Sequence, residues 1–274
     1  MIRRPPRSTQ SRSSAASDVY KRQTPDTAAK VEVKDNVVSW GDSPLVINPW
    51  DEYAVEEALL CKENRGASAV TVIGMGAEST KEALKHALAM GADDAILISD
   101  PAFAGADTLI TSKALAKAIE KLGDVKLAVF GRETADGNSG QVAVQVGRRL
   151  GWPTLTYVAK IAAVDFGAGT IKVERLIEEG RQIVESTLPA VISVVKEINE
   201  PRYPSFMGIR KAAKAEIPQW GAGDLGVDSA GSKVKWPEIY ALPPREGEVQ
   251  LIEGATVEEA ARKLVEKLIE EKVI

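Results

Sequence analysis

The fold is decided by residues 127–150, which read LAVFGRETADGNSGQVAVQVGRRL. The first four residues are apolar, which is typical of a buried strand, and Gln141–Leu150 has the apolar spacing of an amphipathic helix. Between them lies a turn of glycines, small hydroxyl side chains and one acid. Because backbone N–H groups at a helix start attract anions, the stretch indicates either a phosphate-binding loop of an α/β sheet or a surface turn with a helix cap.

The same alternation of strands and helices extends in both directions from this stretch. Apolar spacing and capping residues predict helices at 48–64, 79–90 and 108–122, with strands at 69–73, 95–98 and 154–158. Antiparallel strands are predicted at 161–166, 170–177 and 181–186, and a further apolar strand at 190–195. These patterns predict an α/β fold with a parallel sheet, helices on both of its faces and an antiparallel β extension.

The last third of the chain has a different character. Residues 199–236 contain proline, glycine and charge without a period, which predicts a long loop. A helix is predicted at 256–272, because Thr256 and Glu259 form a capping box before an amphipathic pattern. The sequence therefore predicts a long C-terminal arm that ends in a helix and docks on a partner subunit or back on the domain.

The first 23 residues are expected to lie outside the fold. They carry six Arg or Lys residues, five serines and one acid, and they have neither the amphipathic face of a mitochondrial presequence nor the apolar core of a secretory signal. The segment resembles translated adapter or cloning sequence, so we expect a foreign or disordered tail. The remaining residues contain 29 basic and 38 acidic side chains, a net charge of −9, which argues against a nucleic-acid-binding protein.

Composition also excludes several kinds of site. The chain has one cysteine, Cys61, and one histidine, His86, so a disulfide framework, a multi-histidine metal site and a histidine-based triad are excluded. Both residues are interpreted as packing or surface residues. No run of 18 apolar residues is present, so no membrane span is predicted. With no catalytic or metal-binding residues predicted, the sequence indicates a carrier or binding protein and not an enzyme.

Five motifs, in order, resemble the β subunit of electron transfer flavoprotein from about residue 24 to the end of the chain. They are TPDT at 24–27, NPWDEYAVEEA at 48–58, ALAMGAD at 87–93, GRETADGNSGQV at 131–142, and LPA at 188–190 followed by NEPRY at 199–203. The resemblance implies an adenine-nucleotide-binding domain of the Rossmann-like, HUP type at 24–198. It also implies that the family's usual first strand is replaced here by the tail, with part of 15–23 drawn into its position.

The resemblance implies a heterodimer with a larger α subunit that carries electrons from acyl-CoA or related dehydrogenases to a quinone oxidoreductase. The redox FAD is expected mainly in the α subunit, and AMP or a second FAD in the β subunit. Segment 99–112 looks more like the group that holds a second FAD and bifurcates electrons, whereas residues 132–134 depart from both groups, so this choice stays open. The compartment is expected to be a prokaryotic cytoplasm, in preference to a mitochondrial matrix.

The resemblance assigns fourteen residues to the nucleotide. They are Asn48, Pro49, Trp50, Met75, Gly131, Arg132, Thr134, Asp136, Gly137, Asn138, Ser139, Gly140, Gln141 and Val142. Asp136 is expected to order the turn, while Asn138, Ser139 and Gln141 contact ribose or phosphate. Two other interpretations are a nucleotide-binding signalling protein of the same fold and a structural subunit with a vestigial site.

A second set of residues is assigned to partner docking. Segment 199–220 is interpreted as the recognition loop for the dehydrogenase, with Phe206 as its apolar anchor beside Ile209, Lys211 and Lys214. The alternative is that Phe206 packs inside its own subunit. Residues 221–274 are expected to form an arm that docks on the α subunit.

Overall fold

The computed structural model describes residues 8–10, 16–18, 32–34, 37–39, 47–134, 138–227, 232–234, 237–240 and 250–273. The chain divides into two units, Met1–Ile239 and Tyr240–Ile274. The first unit contains every strand in the described part of the chain, and the second contains the C-terminal helix.

The strands are numbered in chain order. They are β1 (Ser8–Gln10), β2 (Ala16–Asp18), β3 (Glu32–Lys34), β4 (Val37–Ser39), β5 (Thr71–Met75), β6 (Asp94–Ile98), β7 (Leu127–Gly131), β8 (Thr154–Asp165), β9 (Thr170–Ile177), β10 (Gly180–Thr187), β11 (Ala190–Val194) and β12 (Gln219–Trp220).

The helices are likewise numbered in chain order. They are α1 (Pro49–Arg65), α2 (Thr80–Met90), α3 (Thr108–Leu122), α4 (Gln141–Leu150), α5 (Phe206–Ala212), α6 (Ala222–Leu225) and α7 (Val257–Glu270), with short 3-10 turns at Pro101–Phe103 and Lys196–Ile198.

The parallel strands lie in two sheets. One sheet has the order β12–β6–β5 and is wholly parallel. The other has the order β10–β9–β8–β11–β7, in which β11 pairs in parallel with β7 and β8, and β8, β9 and β10 pair antiparallel. The predicted α/β class with an antiparallel extension is confirmed.

The helices cover both faces of the strands, as predicted. Along β7, the side chains of Leu127 and Val129 belong to a core formed with α1 and α2. Ala128 and Phe130 belong to a second core formed with α3 and α4. This alternation follows from the two-residue period of a strand, which sends successive side chains to opposite faces.

A two-stranded antiparallel unit, β1 and β2, lies beside β5 and β7. β2 also contacts α1. The sequence predicts that part of 15–23 occupies a strand position beside the core. Within that segment, Ala16–Asp18 forms β2.

The structure corrects two predicted elements. The strands predicted at 154–158 and 161–166 form one continuous strand, β8, whose register shifts absorb the irregular residues between them. Segment 199–236 is not a loop throughout, because its described residues include α5, β12 and α6. These elements are short and depend on tertiary packing, so they leave no periodic signal in the sequence.

Candidate functional site

The amino-terminal end of α1 is joined to the carboxyl end of β7 by buried polar side chains. Asn48 Nδ2 donates to Asp51 Oδ2 at 2.8 Å and to the Glu133 carbonyl oxygen at 3.0 Å. Asp51 Oδ1 accepts a hydrogen bond from the Gly131 N–H at 3.2 Å. Two of the segments predicted to hold the nucleotide, 48–50 and 131–134, are therefore brought together.

Asn48 is the N-cap residue of α1, as predicted, but its side chain makes no cap hydrogen bond. Its amide joins α1 to the 131–134 loop instead, and Pro49 follows at the first helical position. Sequence reasoning missed Asp51 and Glu133 as parts of this contact. No local pattern reports that Asp51 has a partner 80 residues away in Gly131.

Gly131 is required at the end of β7 by close packing. A Cβ atom there would lie 2.4 Å from Asp51 Oδ1 and 2.8 Å from the carbonyl carbon of Trp50. These distances are shorter than any ordinary van der Waals contact, so a side chain would force α1 and β7 apart. The glycine therefore sets the spacing between the two halves of the site.

Arg132 lies over two aromatic rings. Its guanidinium carbon is 4.6 Å from the centroid of the Trp50 ring and 6.0 Å from that of Tyr157. Its Nε also donates to Glu133 Oε1 at 2.9 Å. Tyr157, which the sequence did not predict as a site residue, has a φ of 56°, a conformation that costs a non-glycine residue free energy and that often occurs at functional sites.

The turn that follows is shaped by left-handed backbone. Asn138 has a φ of 44° and donates its N–H to the Thr134 carbonyl oxygen at 2.9 Å, and Gly140 has a φ of 57°. Thr134 is buried. The predicted residues Asp136 and Gly137 lie outside the described residues.

The first turn of α4 can receive an anion. Its N-cap residue is Gly140, and no side chain caps the helix. Ser139, Gly140 and Gln141 line the mouth of this turn. Since the first N–H groups of a helix carry partial positive charge, this end of α4 fits a phosphate group.

The amino termini of α3 and α4 are neighbours. Thr108 Oγ1 donates to Gln141 Oε1 at 3.2 Å, and Gln145 Nε2 donates to Thr108 Oγ1 at 3.3 Å. Two helix dipoles therefore present their positive ends to the same region. Thr108 and Gln145 are further candidate site residues that sequence reasoning missed. The i, i+4 spacing of Gln141 and Gln145, which places both on one face of α4, was the sequence signal that could have indicated Gln145.

Asp107 lies in the segment that looks like the FAD-holding group, and its carboxylate accepts hydrogen bonds from backbone N–H groups of the chain itself. Its Oδ1 accepts from the N–H groups of Leu109 and Ile110, and its Oδ2 accepts from those of Lys233 and Val234 at 2.7 and 3.2 Å. Burial favours the neutral acid, but the four backbone donors outweigh it and lower the pKa of Asp107 below its usual range. Residues 232–234 are thereby held over the start of α3.

Met75 and Val142 contribute buried side chains. Both belong to the core that includes Phe130, so Met75 offers the site its backbone at the end of β5 and not its thioether. The cavity lined by residues 131–134 and 139–143 has a volume of about 10 Å³, enough for about one water molecule.

The predicted docking residues lie together on α5 and just after it. Phe206 is 80 % exposed, and the side chains of Ile209, Lys211 and Lys214 are also exposed. Phe206 is therefore not a core residue of this unit. Met207, a large exposed side chain between them, was missed by sequence reasoning and adds to the same surface.

The start of the docking segment is attached to α1 by ion pairs. Arg202 Nε lies 2.8 Å from Glu56 Oε2, and its two terminal nitrogens also donate to Glu63 at 2.6 and 2.8 Å. Hydrogen bonds to Glu63 and Glu56 raise the pKa of Arg202, although burial opposes this. Asn199 Nδ2 adds hydrogen bonds to the Tyr53 carbonyl oxygen and to Glu57 Oε2, both at 3.0 Å.

Cys61 and His86 lie apart from these features. Burial, with the neighbouring Glu57, raises the pKa of the Cys61 thiol to about 12, against the opposing effect of Arg65, so the thiol is unreactive at neutral pH. His86 Nε2 lies 3.4 Å from Glu52 Oε1. In the described residues, no group of three or more potential ligands is placed to hold a metal ion. The helices described there also lack the length and apolar character needed to cross a bilayer.

Comparison with known proteins supplies the family. A family model for the electron transfer flavoprotein domain matches residues 37–225. The chain is 42 % identical over 259 residues to the electron transfer flavoprotein subunit beta of Clostridium acetobutylicum, which covers 92 % of this chain and 97 % of that protein. It is 38 % identical over 261 residues to the caffeyl-CoA reductase-Etf complex subunit CarD of Acetobacterium woodii, covering 93 % and 98 %.

A third relative is the protein FixA of Azotobacter vinelandii, 38 % identical over 243 residues, with 85 % of this chain and 86 % of that protein covered. Each of these matches includes most of both chains, and together with the domain match they confirm the resemblance found in the sequence motifs. The chain belongs to the electron transfer flavoprotein family, as a β subunit.

Proposed function

We propose that this chain pairs with an electron transfer flavoprotein α subunit and holds an adenine nucleotide at the carboxyl end of β7. The observation that carries the proposal is the buried contact of Asn48 and Asp51 with Gly131 and Glu133. It places the loop that begins α1 beside the loop that leads to the uncapped start of α4. The chain belongs to a family of electron carriers, so no catalytic residue is proposed.

Several of the predicted residues have distinct parts in the proposed binding. The backbone N–H groups at 140–142, with Ser139 and Gln141, would hold phosphate, and Asn138 would contact phosphate or ribose. Gly131 and Gly140 keep the backbone close to the ligand. The Trp50–Arg132–Tyr157 stack forms an aromatic and cationic wall beside these donors.

The proposed electron route runs from acyl-CoA or related dehydrogenases, through FAD held mainly by the α subunit, to a quinone oxidoreductase. FAD supplies one- and two-electron redox chemistry when bound. Support for a CoA-linked partner comes from the name of the CarD relative, which describes a caffeyl-CoA reductase-Etf complex. The exposed surface of Phe206, Ile209, Lys211 and Lys214 is the proposed contact for the dehydrogenase.

The alternative occupant is a second FAD, which would make the complex an electron-bifurcating one. The sequence of 99–112 favours it. In the structure, however, Asp100 accepts from the N–H groups of Ala102 and Ala222, and Asp107 accepts four backbone N–H groups. Both carboxylates therefore already accept hydrogen bonds from the chain's own backbone. Identification of the bound ligand itself is needed to decide between AMP and a second FAD.

The experiment is to co-express this chain with its α subunit, purify the complex, denature it and identify the released nucleotides by mass and absorbance. We expect FAD with one equivalent of AMP, or two equivalents of FAD. FAD alone, with no second nucleotide, would contradict the proposed site and favour a vestigial one.

A pair of glycine variants on one helix tests where the nucleotide lies. Gly140 and Gly151 flank α4, and both have a left-handed backbone, with φ values of 57° and 69°. Valine strains the backbone at either position. We expect Gly140→Val to lose the second nucleotide and Gly151→Val to retain it, and equal loss from both would show only a folding defect.

A further inference from the structure

Strand β8 contains a β-bulge at Tyr157. Two residues of β8, Thr156 and Tyr157, lie opposite the single residue Ser193 of β11. The register of this parallel pairing shifts there, between Ile192 and Val194. Tyr157 takes up the extra length with a left-handed backbone, at a φ of 56°. A bulge of this kind turns a side chain out of the regular alternation of a strand.

The bulge changes which side chains of β8 enter the core. Leu155 and Val158 both belong to the core formed with α1 and α2, although they are three residues apart. A regular strand would send them to opposite faces, because successive side chains alternate. The extra residue returns Val158 to the core and leaves the Tyr157 side chain outside both cores and 44 % exposed. Burial therefore does not explain an aromatic residue at this position.

Both residues of the bulge are held by side chains of the neighbouring strands. The N–H group of Tyr157 donates to the buried Ser193 Oγ at 3.3 Å. On the other side, Arg175 Nε donates to the Thr156 carbonyl oxygen at 2.7 Å, and Arg175 Nη2 donates to Thr156 Oγ1 at 2.8 Å. A left-handed backbone costs a tyrosine free energy, so these contacts hold Tyr157 in a conformation that it would not adopt alone.

The ring of Tyr157 reaches Arg132 at the end of β7. The guanidinium carbon of Arg132 is 6.0 Å from the centroid of the Tyr157 ring and 4.6 Å from that of Trp50, distances typical of cation–π contacts. A Cβ atom at Gly140 would be 3.5 Å from the Arg132 carbonyl oxygen, so Arg132 lies next to the N-cap of α4. Glu133 Oε1 accepts from Arg132 Nε and Nη2. A guanidinium carries more N–H donors than these, and its planar fork suits a phosphate group.

From these contacts we propose that Tyr157 is a positioning residue of the nucleotide site. Its ring holds the Arg132 guanidinium over Trp50, in the orientation in which the guanidinium binds a phosphate group of the nucleotide. The strained bulge is retained because it brings the ring to Arg132. This inference rests on the proposed function, since it requires a nucleotide at the end of β7.

The test is equilibrium titration of the αβ complex, depleted of its second nucleotide, with AMP as the probe, or with FAD where the wild type releases two equivalents of FAD. We expect Tyr157→Gly to weaken binding about fivefold or more, because Arg132 loses a cation–π contact and its fixed orientation. Tyr157→Phe keeps the ring and should stay within about twofold of the wild type. Without nucleotide, Tyr157→Gly should be as stable as the wild type or more stable in urea, because glycine adopts a left-handed backbone without strain.

Arg132→Met tests whether Tyr157 acts through Arg132. This variant should weaken nucleotide binding, and adding Tyr157→Gly to it should cause no further loss, because the two side chains form one interaction. Additive losses, wild-type affinity in Tyr157→Gly, or a lower stability of Tyr157→Gly would each overturn the proposal. Loss of the αβ complex from Tyr157→Gly would assign the ring to the subunit interface and would overturn it as well.

Ile183→Gly is the matched control for Tyr157→Gly. Ile183 is an exposed strand residue of β10 whose backbone is not left-handed. We expect the opposite pattern, a lower stability with unchanged nucleotide affinity, because glycine weakens an ordinary strand. Equal loss of affinity from both variants would overturn the positioning role alone. A wild-type complex that binds neither AMP nor FAD at a second site would overturn the proposed function together with this role, before any variant is compared.

Discussion

Asp51 shows how one buried side chain connects distant parts of the site. The residue is fully buried, and its two carboxylate oxygens accept from the Asn48 amide and from the Gly131 N–H. A buried carboxylate is tolerated when hydrogen bonds replace its lost hydration, so each partner is needed by the others. The absence of a side chain at Gly131 allows this contact.

At the same scale, we predict that Gly131→Ala destabilises the protein by about 1–3 kcal/mol, because the new Cβ would overlap Asp51 and the backbone of Trp50. Gly223→Ala is the control, since nothing lies within 4 Å of its Cβ position. Urea unfolding of both variants measures the change. A Gly131→Ala variant as stable as Gly223→Ala would show that the end of β7 is not closely packed.

A second residue-scale prediction concerns pH. The folded state lowers the pKa of Asp107 below its unfolded value of about 3.9. The stability contributed by this carboxylate is therefore fully present above about pH 4 and is lost as the pH falls through the lower folded-state pKa. We expect Asp107→Asn to be less stable than the wild type at pH 7, with the difference shrinking towards pH 3.

Unfolding curves for both proteins at pH 7, 5, 4 and 3 measure this difference. The variant also places an amide N–H₂ group opposite the N–H donors of Lys233 and Val234, which adds to its cost at neutral pH. A stability difference that stays constant across the series would contradict the assigned role of the Asp107 charge.

At the scale of elements, α1 connects the proposed nucleotide site with the docking segment. Its first turn carries Asp51, and further along the helix Glu56 and Glu63 hold Arg202. α5 then lies directly on α2, since a Cβ at Gly208 would be 2.2 Å from the Ala89 carbonyl oxygen. The exposed side chains of α5 are thus presented by a helix that is fixed at its start and along one face.

The element-scale prediction is that Phe206→Ala weakens binding of the dehydrogenase without changing the bound nucleotides. A pre-positioned exposed aromatic side chain can contribute 2 kcal/mol or more to an interface, about thirtyfold in affinity. Because Phe206 is 80 % exposed, the free energy of unfolding should change by less than about 0.5 kcal/mol. Electron transfer measured against dehydrogenase concentration gives the effect.

Ile183→Ala is the matched control for Phe206→Ala. Ile183 is an apolar residue of β10 that is 63 % exposed, and its removal should leave electron transfer unchanged. Equal slowing by both variants, or loss of flavin from Phe206→Ala, would count against a docking role for α5.

At the scale of the whole molecule, the two units differ in how they bury apolar surface. The first, Met1–Ile239, contains both cores. The second, Tyr240–Ile274, contains α7, whose Val257, Leu264 and Ile269 side chains are exposed and which has no buried residue. A capped amphipathic helix with its apolar side exposed is suited to a partner chain, as proposed for the C-terminal arm.

We therefore predict that a chain ending at Ile239 unfolds cooperatively, with a midpoint close to that of the full chain, but no longer assembles with the α subunit. Urea unfolding and sedimentation of the co-expressed pair measure the two properties. Full retention of the complex by the shortened chain would remove residues 240–274 from the proposed interface, and loss of cooperative unfolding would show that they stabilise the fold.

The sequence by itself determined the features that depend on neighbouring residues. The apolar periods placed α1, α3, α4 and the strands β5 to β7 within one or two residues, and Thr256 correctly marked the start of α7. The glycine-rich motif at 131–142 and four other motifs identified the family. Periodicity and capping act over a few residues, so a single sequence contains them in full.

Only the tertiary structure decided the rest. The contact of Asp51 with Gly131, the stack of Arg132 on Trp50 and Tyr157, and the pairing of Thr71 with Asp94 each join distant segments. α5 and β12 are too short to form alone, and they exist because α2 and β6 provide surfaces for them. Such contacts become favourable only when the chain is folded, so no local pattern reports them.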